Sequence, residues 1–230
     1  MCGIVAASSK RDVVPILTEG LRRLEYRGYD SCGIAIVDES KLKRTRTVKR
    51  VNALIEQTKI ENLSGLTGIA HTRWATHGAP EICNTHPHFS HNMMAVVHNG
   101  IIENYEEIRE ELIEKGYEFL SQTDTEVIVH LVHSLYEGDL LKAVEKAVQR
   151  LRGAYAIALT CIKEPNRVVA TKKAAPLVAA LGEGENFVAS DPIALAGVTD
   201  KFIYLEDGDV VDVTPEKVVI WHKEGEEYKT

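Results

Sequence analysis

Short apolar runs alternate along this chain with segments of helical spacing. Apolar and β-branched residues bounded by polar ones predict strands over 2–8 and 32–39. Between them, Val13, Leu17 and Leu21 share one helical face, so residues 12–30 are predicted to hold a helix that ends by Gly28. The first forty residues therefore read as strand, helix and strand.

The remaining pattern predicts further strands around a block of helices. Residues 44–51 are predicted to form an exposed strand with its basic residues facing solvent. A short helix is predicted at 51–59, and 67–78 is predicted to be a strand that runs into a loop. A buried strand at 93–102 is predicted to break at Asn99-Gly100. The predicted helices that follow are 104–116, 123–138 and 139–153, and strands and turns fill the rest, with "EDGD" at 206–209 as a hairpin signal. We expect one domain of two sheets with helices packed outside them.

Composition limits the kinds of binding partner and the cell compartment to be expected. The 230 residues are 44% hydrophobic and 27% charged, with a net charge of -7, which argues against nucleic acid as a partner. The pattern predicts no membrane span and no secretory signal, so a cytoplasmic protein is expected. Reduced thiols are expected for four scattered cysteines, which are Cys2, Cys32, Cys83 and Cys161.

Cys2 stands directly after the initiator methionine. Removal of Met1 would leave a thiol nucleophile and a free α-amine, a possible base, on one residue. The alternative is a small buried residue that opens a strand, which is the more common fate of a free cysteine.

Six histidines lie between residues 71 and 100. A metal site is one interpretation, because His86 and His88 could bring two imidazoles together. The segment lacks an HExxH motif, and neither histidine of this pair is followed at i+3 or i+4 by an acidic residue or a cysteine. Hydrogen bonding within a polar loop is therefore the expected role of most of these six histidines, and no metal is predicted.

Two short motifs offer hydrogen-bond donors. In "HTRWATHG", Arg73 with Thr76 and His77 could hold a substrate carboxylate, although a lone arginine more often forms a surface salt bridge. In "HNG", the Asn99 amide and the Gly100 N–H could aim two donors at a developing oxyanion. An Asn-Gly turn is the alternative for the second motif.

Six motifs stand in an order that resembles one family: "CGI" at 2–4, "YRGYDSCG" at 26–33, "GIAHTRWATHG" at 68–78, "HPH" at 86–88, "VVHNGIIENY" at 96–105 and "SQTDTEVI" at 121–128. The chain resembles the glutaminase domain of the glucosamine-6-phosphate synthases, which are class II, N-terminal-nucleophile amidotransferases. The resemblance extends over about 225 residues. It implies an α+β fold, a four-layer αββα sandwich, formed by a single domain over 2–225.

The resemblance also implies the catalytic groups and how glutamine is held. Cys2 matches the nucleophile, with its own α-amine as base, and the Asn99 side chain and Gly100 N–H match the oxyanion hole. Arg73 matches the residue that binds the glutamine α-carboxylate, helped by Thr76 and His77. Asp124 matches the partner of the α-ammonium group.

Four further positions match supporting roles. Trp74 matches a gate over the pocket, and His86 matches a residue of the pocket lining. Arg27 and Asp30 match framework residues beside the nucleophile. Cys32 departs from the family pattern, which usually has a small residue such as alanine there.

The implied partners are L-glutamine and, in the full-length enzyme, a C-terminal isomerase half that binds fructose 6-phosphate. No cofactor is implied, and the full-length enzyme is expected to be a homo-oligomer. Because this chain stops at Thr230, we expect an excised amidotransferase domain, with a free-standing glutaminase as the alternative. A histidine-rich metallohydrolase and an inactive glutamine sensor are the hypotheses from other classes.

Overall fold

The computed structural model describes residues 2–222 and the backbone of 227–229, so Met1 and the predicted domain end at residue 225 lie outside the described residues. The helices are α1 Val14–Arg23, α2 Val51–Ile60, α3 Tyr105–Glu114, α4 Glu126–Ser134 and α5 Leu140–Val148. Strands of the first half are β1 Gly3–Ser9, β2 Ser31–Asp38, β3 Lys41–Thr47, β4 Thr67–Arg73, β5 His88–Ser90 and β6 Met94–Ile102. Strands of the second half are β7 Gly153–Cys161, β8 Glu164–Lys173, β9 Val178–Leu181, β10 Glu185–Ala189, β11 Lys201–Tyr204, β12 Val210–Val213, β13 Val218–Trp221 and β14 Glu227–Lys229.

The strands form two seven-stranded sheets. The first has the order β11-β9-β10-β1-β4-β2-β3, and the second has the order β14-β13-β12-β8-β7-β6-β5. Every described pairing is antiparallel. Strands from distant parts of the chain are neighbours, so β1 lies between β10 and β4.

Alternation along the strands divides the apolar residues among three layers. On β1, Val5 and Ala7 pack with α1 and α2, whereas Ile4 and Ala6 face the second sheet. The outer face of the second sheet packs against α3, α4 and α5. The layers are therefore helix, sheet, sheet and helix, which confirms the predicted α+β four-layer sandwich.

The layer between the sheets changes from apolar to polar towards one end. It is rich in small residues, which are Ala6, Ala35, Ala95, Ala156, Ala158 and Ala170. On β4 the inward positions run from Ile69 to His71, and on β6 they run from Val97 to Asn99. Because successive inward residues lie two apart, both sheets present buried polar side chains at the same end.

The predicted break of the strand at Asn99-Gly100 is wrong. Strand β6 continues through both residues, which pair with Ala156 and Tyr155 of β7. Gly100 has φ +117°, and a Cβ there would lie 2.0 Å from the Ala154 carbonyl oxygen. The missing side chain allows β7 to approach, so a partner strand holds this Asn-Gly pair in the sheet.

Two other sequence-based expectations are corrected by the sheet order. The "EDGD" segment does not close a hairpin, because β11 pairs with β9 in the first sheet and β12 pairs with β8 and β13 in the second. The basic residues Arg44 and Arg46 of β3 are half-buried rather than on a solvent face, and each donates to a backbone carbonyl near β5. In both cases contacts with distant segments of the chain, β9 for β11 and the segment at 85–87 for β3, decide the outcome.

We expect Gly100→Ala to destabilise the fold more than Gly138→Ala. Both glycines have positive φ, so alanine costs each about 1–2 kcal/mol of backbone strain. Only at Gly100 would the new Cβ also meet a backbone atom, since an added Cβ at Gly138 has no neighbour within 4 Å. The free energy of unfolding in urea should fall by at least about 1–3 kcal/mol more for Gly100→Ala. Equal losses for the two variants would contradict this packing argument.

Candidate active site

A small pocket lies where central strands of both sheets end together. Cys2 precedes β1, Arg73 is the last residue of β4, and Gly100 is near the end of β6. The loop before α4 completes the wall. The lining consists of Cys2, Arg73, Trp74, Thr76, His77, His86, His98, Gly100, Thr123, Asp124 and Thr125. Seven of the eight predicted catalytic and glutamine-binding residues other than Cys2 therefore line the same pocket as its thiol. The eighth, Asn99, donates from its side chain to the Cys2 carbonyl oxygen.

The Cys2 thiol lies against the backbone of the following strand end. Its Sγ accepts a hydrogen bond from the Trp74 N–H at 3.1 Å. Burial raises the pKa of the thiol, and the Trp74 N–H and the Arg73 charge only partly oppose that shift. The thiol is therefore protonated at neutral pH, so a nucleophilic role requires a base. The predicted removal of Met1 concerns a residue outside the described part of the chain.

The Asn99 side chain is held in one orientation by two partners. Its Nδ2 donates to the Cys2 carbonyl oxygen at 3.2 Å, and its Oδ1 lies 2.9 Å from His71 Nε2. Because a carbonyl can only accept, the amide nitrogen must face Cys2 and the amide oxygen must face His71. His71 Nε2 therefore carries the ring proton and donates it to Asn99. Burial lowers the pKa of His71 to about 3, so this imidazole is neutral.

Two further buried histidines, His86 and His98, lie beside His71. The His86 ring stacks on His71 at 4.0 Å, and its Nδ1 accepts from the His98 backbone N–H at 3.3 Å. The Thr125 hydroxyl lies 3.3 Å from His86 Nε2 and 2.9 Å from His98 Nδ1. Burial lowers the pKa of both His86 and His98. A donor relay from His86 through Thr125 to His98 leaves the proton of neutral His98 on Nε2, a buried atom without a partner among the described residues.

Asp124 presents one carboxylate oxygen to the pocket. Its Oδ2 accepts from the Ile102 N–H at 2.8 Å, which anchors the buried side chain to the end of β6. Its Oδ1 lies 3.8 Å from His77 Nδ1, beyond hydrogen-bond distance. This oxygen can accept from a ligand cation.

Arg73 is buried at the pocket and organises the loop that follows it. Its two terminal nitrogens donate to the carbonyl oxygens of His77, Gly78 and Ala79. Asp30 holds the same loop, because its Oδ2 accepts from the Ala75 N–H and its own N–H donates to the Arg73 carbonyl. A bidentate carboxylate contact through both terminal nitrogens would require a loop carbonyl to give up its hydrogen bond.

Trp74 and Arg27 flank the pocket differently. The half-exposed Trp74 ring crosses Gly28, where φ is +73° and an added Cβ would lie 2.7 Å from Trp74 Cζ3. Arg27 lies outside the pocket lining, and its Nη2 pairs with Asp191 Oδ2 at 2.6 Å. Arg27 thus ties the turn before β2 to the segment after β10.

Sequence reasoning missed His71, His98, Thr123 and Thr125 as members of this site. A signal for His71 was available, because it lies on the same strand face as the apolar Ile69, two residues before Arg73. A buried histidine at that position needs a partner for its ring. Nothing in the local pattern identifies that partner as Asn99, which is 28 positions away.

The sequence profile of the family described as "Glutamine amidotransferase domain" matches residues 78–197, more than half of the chain. The chain belongs to this family. Over 99% of the length of this chain, it is 60% identical to the glutamine–fructose-6-phosphate aminotransferase (isomerizing) of Bordetella pertussis. It is 55% identical to the protein of the same name in Pseudomonas aeruginosa over 98%. The chain spans 38% and 37% of the lengths of these two relatives.

Solved structures share the fold at low identity. The glutamine phosphoribosylpyrophosphate amidotransferase of B. subtilis aligns over 99% of the chain and 49% of its own, with a TM-score of 0.76 and 24% identity. A structure of the allosteric regulatory enzyme of purine biosynthesis gives a TM-score of 0.81 at 23% identity, with the same coverage of both chains. These two solved structures thus share the fold of this chain. Within the part of the chain described, no helix is long and apolar enough to cross a membrane.

We expect the fold to lose stability as the pH falls from about 6.5 towards 5. Burial lowers the folded-state pKa of His71, His86, His88 and His98. In the unfolded chain a histidine titrates near 6.5, so below that pH the unfolded state binds more protons and is favoured. At pH 5 unfolding should take up protons at these four histidines, up to about one proton for each.

Urea unfolding between pH 7 and 5 measures this uptake as the slope of the free energy of unfolding against pH. His88→Gln should reduce the uptake by about one proton. A stability that does not change over this range would show that these histidines are not buried in their neutral form.

Proposed function

We propose that this chain hydrolyses the side-chain amide of L-glutamine to L-glutamate and ammonia, with Cys2 as nucleophile. The observation that carries the proposal is the meeting of the Cys2 thiol with two donors at the end of β6. Asn99 Nδ2 is 3.2 Å from the Cys2 carbonyl oxygen, and Gly100 lines the same pocket as the thiol. Membership in the glutamine amidotransferase domain family supports glutamine as substrate.

The proposed reaction begins when the Cys2 α-amine, freed of Met1, takes the thiol proton. Its reference pKa of about 7.7–8.0 suits a base at neutral pH. Sulfur attacks the amide carbon, and the Asn99 and Gly100 N–H groups stabilise the resulting oxyanion. The carbon–nitrogen bond then breaks, the nitrogen leaves as ammonia with the proton from the amine, and a γ-glutamyl thioester remains. Water attacks the thioester, giving glutamate and returning a proton to sulfur.

Charged groups around the pocket fit the two ends of the amino-acid portion. Asp124 Oδ1 faces the pocket and has no hydrogen-bond partner among the described residues, so we assign it to the α-ammonium group. Arg73, with Thr76 and His77, is assigned to the α-carboxylate. Trp74 and His86 complete the wall, and Asp30 and Arg27 hold the surrounding loops. The neutral histidine wall adds no positive charge to compete with Arg73 for the carboxylate.

Within a longer protein, the released ammonia would aminate fructose 6-phosphate bound to an isomerase half. The names and lengths of the relatives support this assignment, since the matched region is 38% of the Bordetella pertussis protein. A homo-oligomer in the cytoplasm is the corresponding proposal for the whole enzyme. The reaction needs a reduced Cys2 thiol, which a reducing compartment maintains.

The function is tested by measuring glutamate and ammonia release from glutamine. The N-terminal mass should be determined on the same sample. A chain that begins at Cys2 should hydrolyse glutamine, and Cys2→Ser should abolish turnover because serine is a weaker nucleophile at this pH. Cys83→Ser is the matched control, since this exposed thiol lies outside the pocket. Full turnover by Cys2→Ser, or by a chain that retains Met1, would refute the mechanism.

We expect Asn99→Ala to lower kcat on the order of 10²–10³-fold with a much smaller change in KM. His71→Ala should also lower kcat, on the order of 10²-fold, because the amide then loses the hydrogen bond that fixes its orientation. In the Asn99→Ala background, His71→Ala should have little further effect. Steady-state kinetics of the four proteins test this coupling.

His71→Gln should restore part of kcat, because its amide N–H can replace the Nε2 donor. His130→Gln is the control, as this buried histidine bonds Ser90 and does not contact Asn99. Independent effects of His71→Ala and Asn99→Ala would show that His71 does not act through the amide.

A further inference from the structure

A second cavity, of about 690 Å³, lies between the edge strands β3 and β5 and the start of α4. It shares no lining residue with the pocket around Cys2. Its volume falls in the range of small-molecule sites, which is about 300–1,000 Å³. The chemistry proposed for Cys2 makes no use of this cavity.

Two arginines line one side of it. Arg44 and Arg46 are two residues apart on β3, so their side chains share a face. Arg44 donates to the Pro87 carbonyl at 3.0 Å, and Arg46 donates to the Thr85 carbonyl at 2.9 Å. Each guanidinium has five N–H groups, so most donors of both remain available.

The two positive charges lack a direct counter-ion among the described residues. No carboxylate there lies within 4 Å of either guanidinium, in contrast with Arg167, which pairs with Asp212. Burial and the charge of Arg46 lower the pKa of Arg44 to about 10, and burial also lowers the pKa of Arg46. The more distant Glu126 carboxylate opposes both shifts only in part. Two half-buried like charges side by side destabilise one another, and an anion between them would relieve both.

His130 and Glu126 form part of the opposite wall of the cavity. His130 is buried, its Nδ1 bonds the Ser90 hydroxyl at 2.9 Å, and its Nε2 has no hydrogen-bond partner among the described residues. Glu126 lies beside it, 3.5 Å from that nitrogen. The Glu126 carboxylate accepts from the backbone N–H groups of Leu120 and Ser121, so it is committed to holding the loop before α4. A ligand here would meet the two arginines on one wall and His130 with the Glu126 carboxylate on the other, so an anionic group of the ligand belongs on the arginine side.

We propose that this cavity binds a small polar metabolite through an oxyanion, a phosphate ester or a carboxylate, held by Arg44 and Arg46. Guanidinium groups match both oxyanions because their parallel N–H donors pair with two oxygens. The oxyanion lies between the two arginines, and the polar body of the ligand extends towards His130. The site is independent of the glutaminase proposal.

Cys83 provides a direct reporter, because its exposed thiol lines the cavity. Alkylation of Cys83 is followed by peptide mass spectrometry, with inorganic phosphate, glucose 6-phosphate or succinate as the probe. Either phosphate compound or succinate should slow the alkylation in a saturable manner. Protection by the phosphates alone assigns a phosphate site, and protection by succinate alone assigns a carboxylate site. No protection by any probe would overturn the proposal.

Arg44→Gln with Arg46→Gln should weaken the protecting ligand at least about tenfold, as expected when charge-assisted hydrogen bonds are lost. Arg50→Gln is the matched control, since this arginine follows β3 but stacks on Tyr29 and does not line the cavity. Urea unfolding and glutamine hydrolysis are measured on each variant to confirm that the fold is kept. Unchanged affinity in the folded double variant would also overturn the proposal.

Discussion

The stacking of two antiparallel sheets through a thin apolar layer is the constraint on which this structure depends. Small side chains such as Ala95 and Ala158 fill much of that layer, and helices cover both outer faces. Because alternate residues of each strand belong to different layers, a one-residue shift in register would exchange every inward side chain for an outward one. The same register places His71 of β4 opposite Asn99 of β6, where the layer becomes polar.

Most groups at the buried polar end of this layer are hydrogen-bonded to one another, with His98 Nε2 an exception among the described residues. His71 donates to Asn99, and Asn99 donates to the Cys2 carbonyl, so one chain of hydrogen bonds joins β4, β6 and the start of β1. Burial keeps the imidazoles neutral, and a neutral ring can donate at one nitrogen while it accepts at the other. Charged histidines here would be costly, since each would bring an uncompensated charge into the interior.

Both cavities lie at margins of the sandwich, where strands end or where edge strands face one another. The pocket at Cys2 uses the ends of central strands, so rigid sheets hold its nucleophile and donors. The second cavity uses β3 and β5, which are edge strands of the two sheets in the part of the chain that the structure describes. Arg44 and Arg46 can be half-buried there because the backbone carbonyls of Thr85 and Pro87 receive some of their donors.

Sequence patterns predicted the order of most strands and helices and two sheets with helices outside them, and the family resemblance carried by six motifs implied the four layers and most of the groups at the pocket. Apolar periodicity is a local property, so it can be read from the sequence before the partner of each strand is known. The motifs around Cys2 and Arg73 carry distinctive residue types. Only the tertiary structure decided which strands pair. Asn99-Gly100 stays in a strand because β7 lies beside it, and "EDGD" joins two sheets because β11 finds β9.

The tertiary structure also decided the partners of the buried polar groups. Neither His71 nor Asn99 reveals in its local sequence that the other lies 2.9 Å away, because the hydrogen bond crosses between two sheets. Arg44 and Arg46 looked like solvent-facing residues of an exposed strand, and only the approach of β5 encloses them. Local sequence specifies which chemistry each residue can offer, whereas long-range packing specifies what that residue meets.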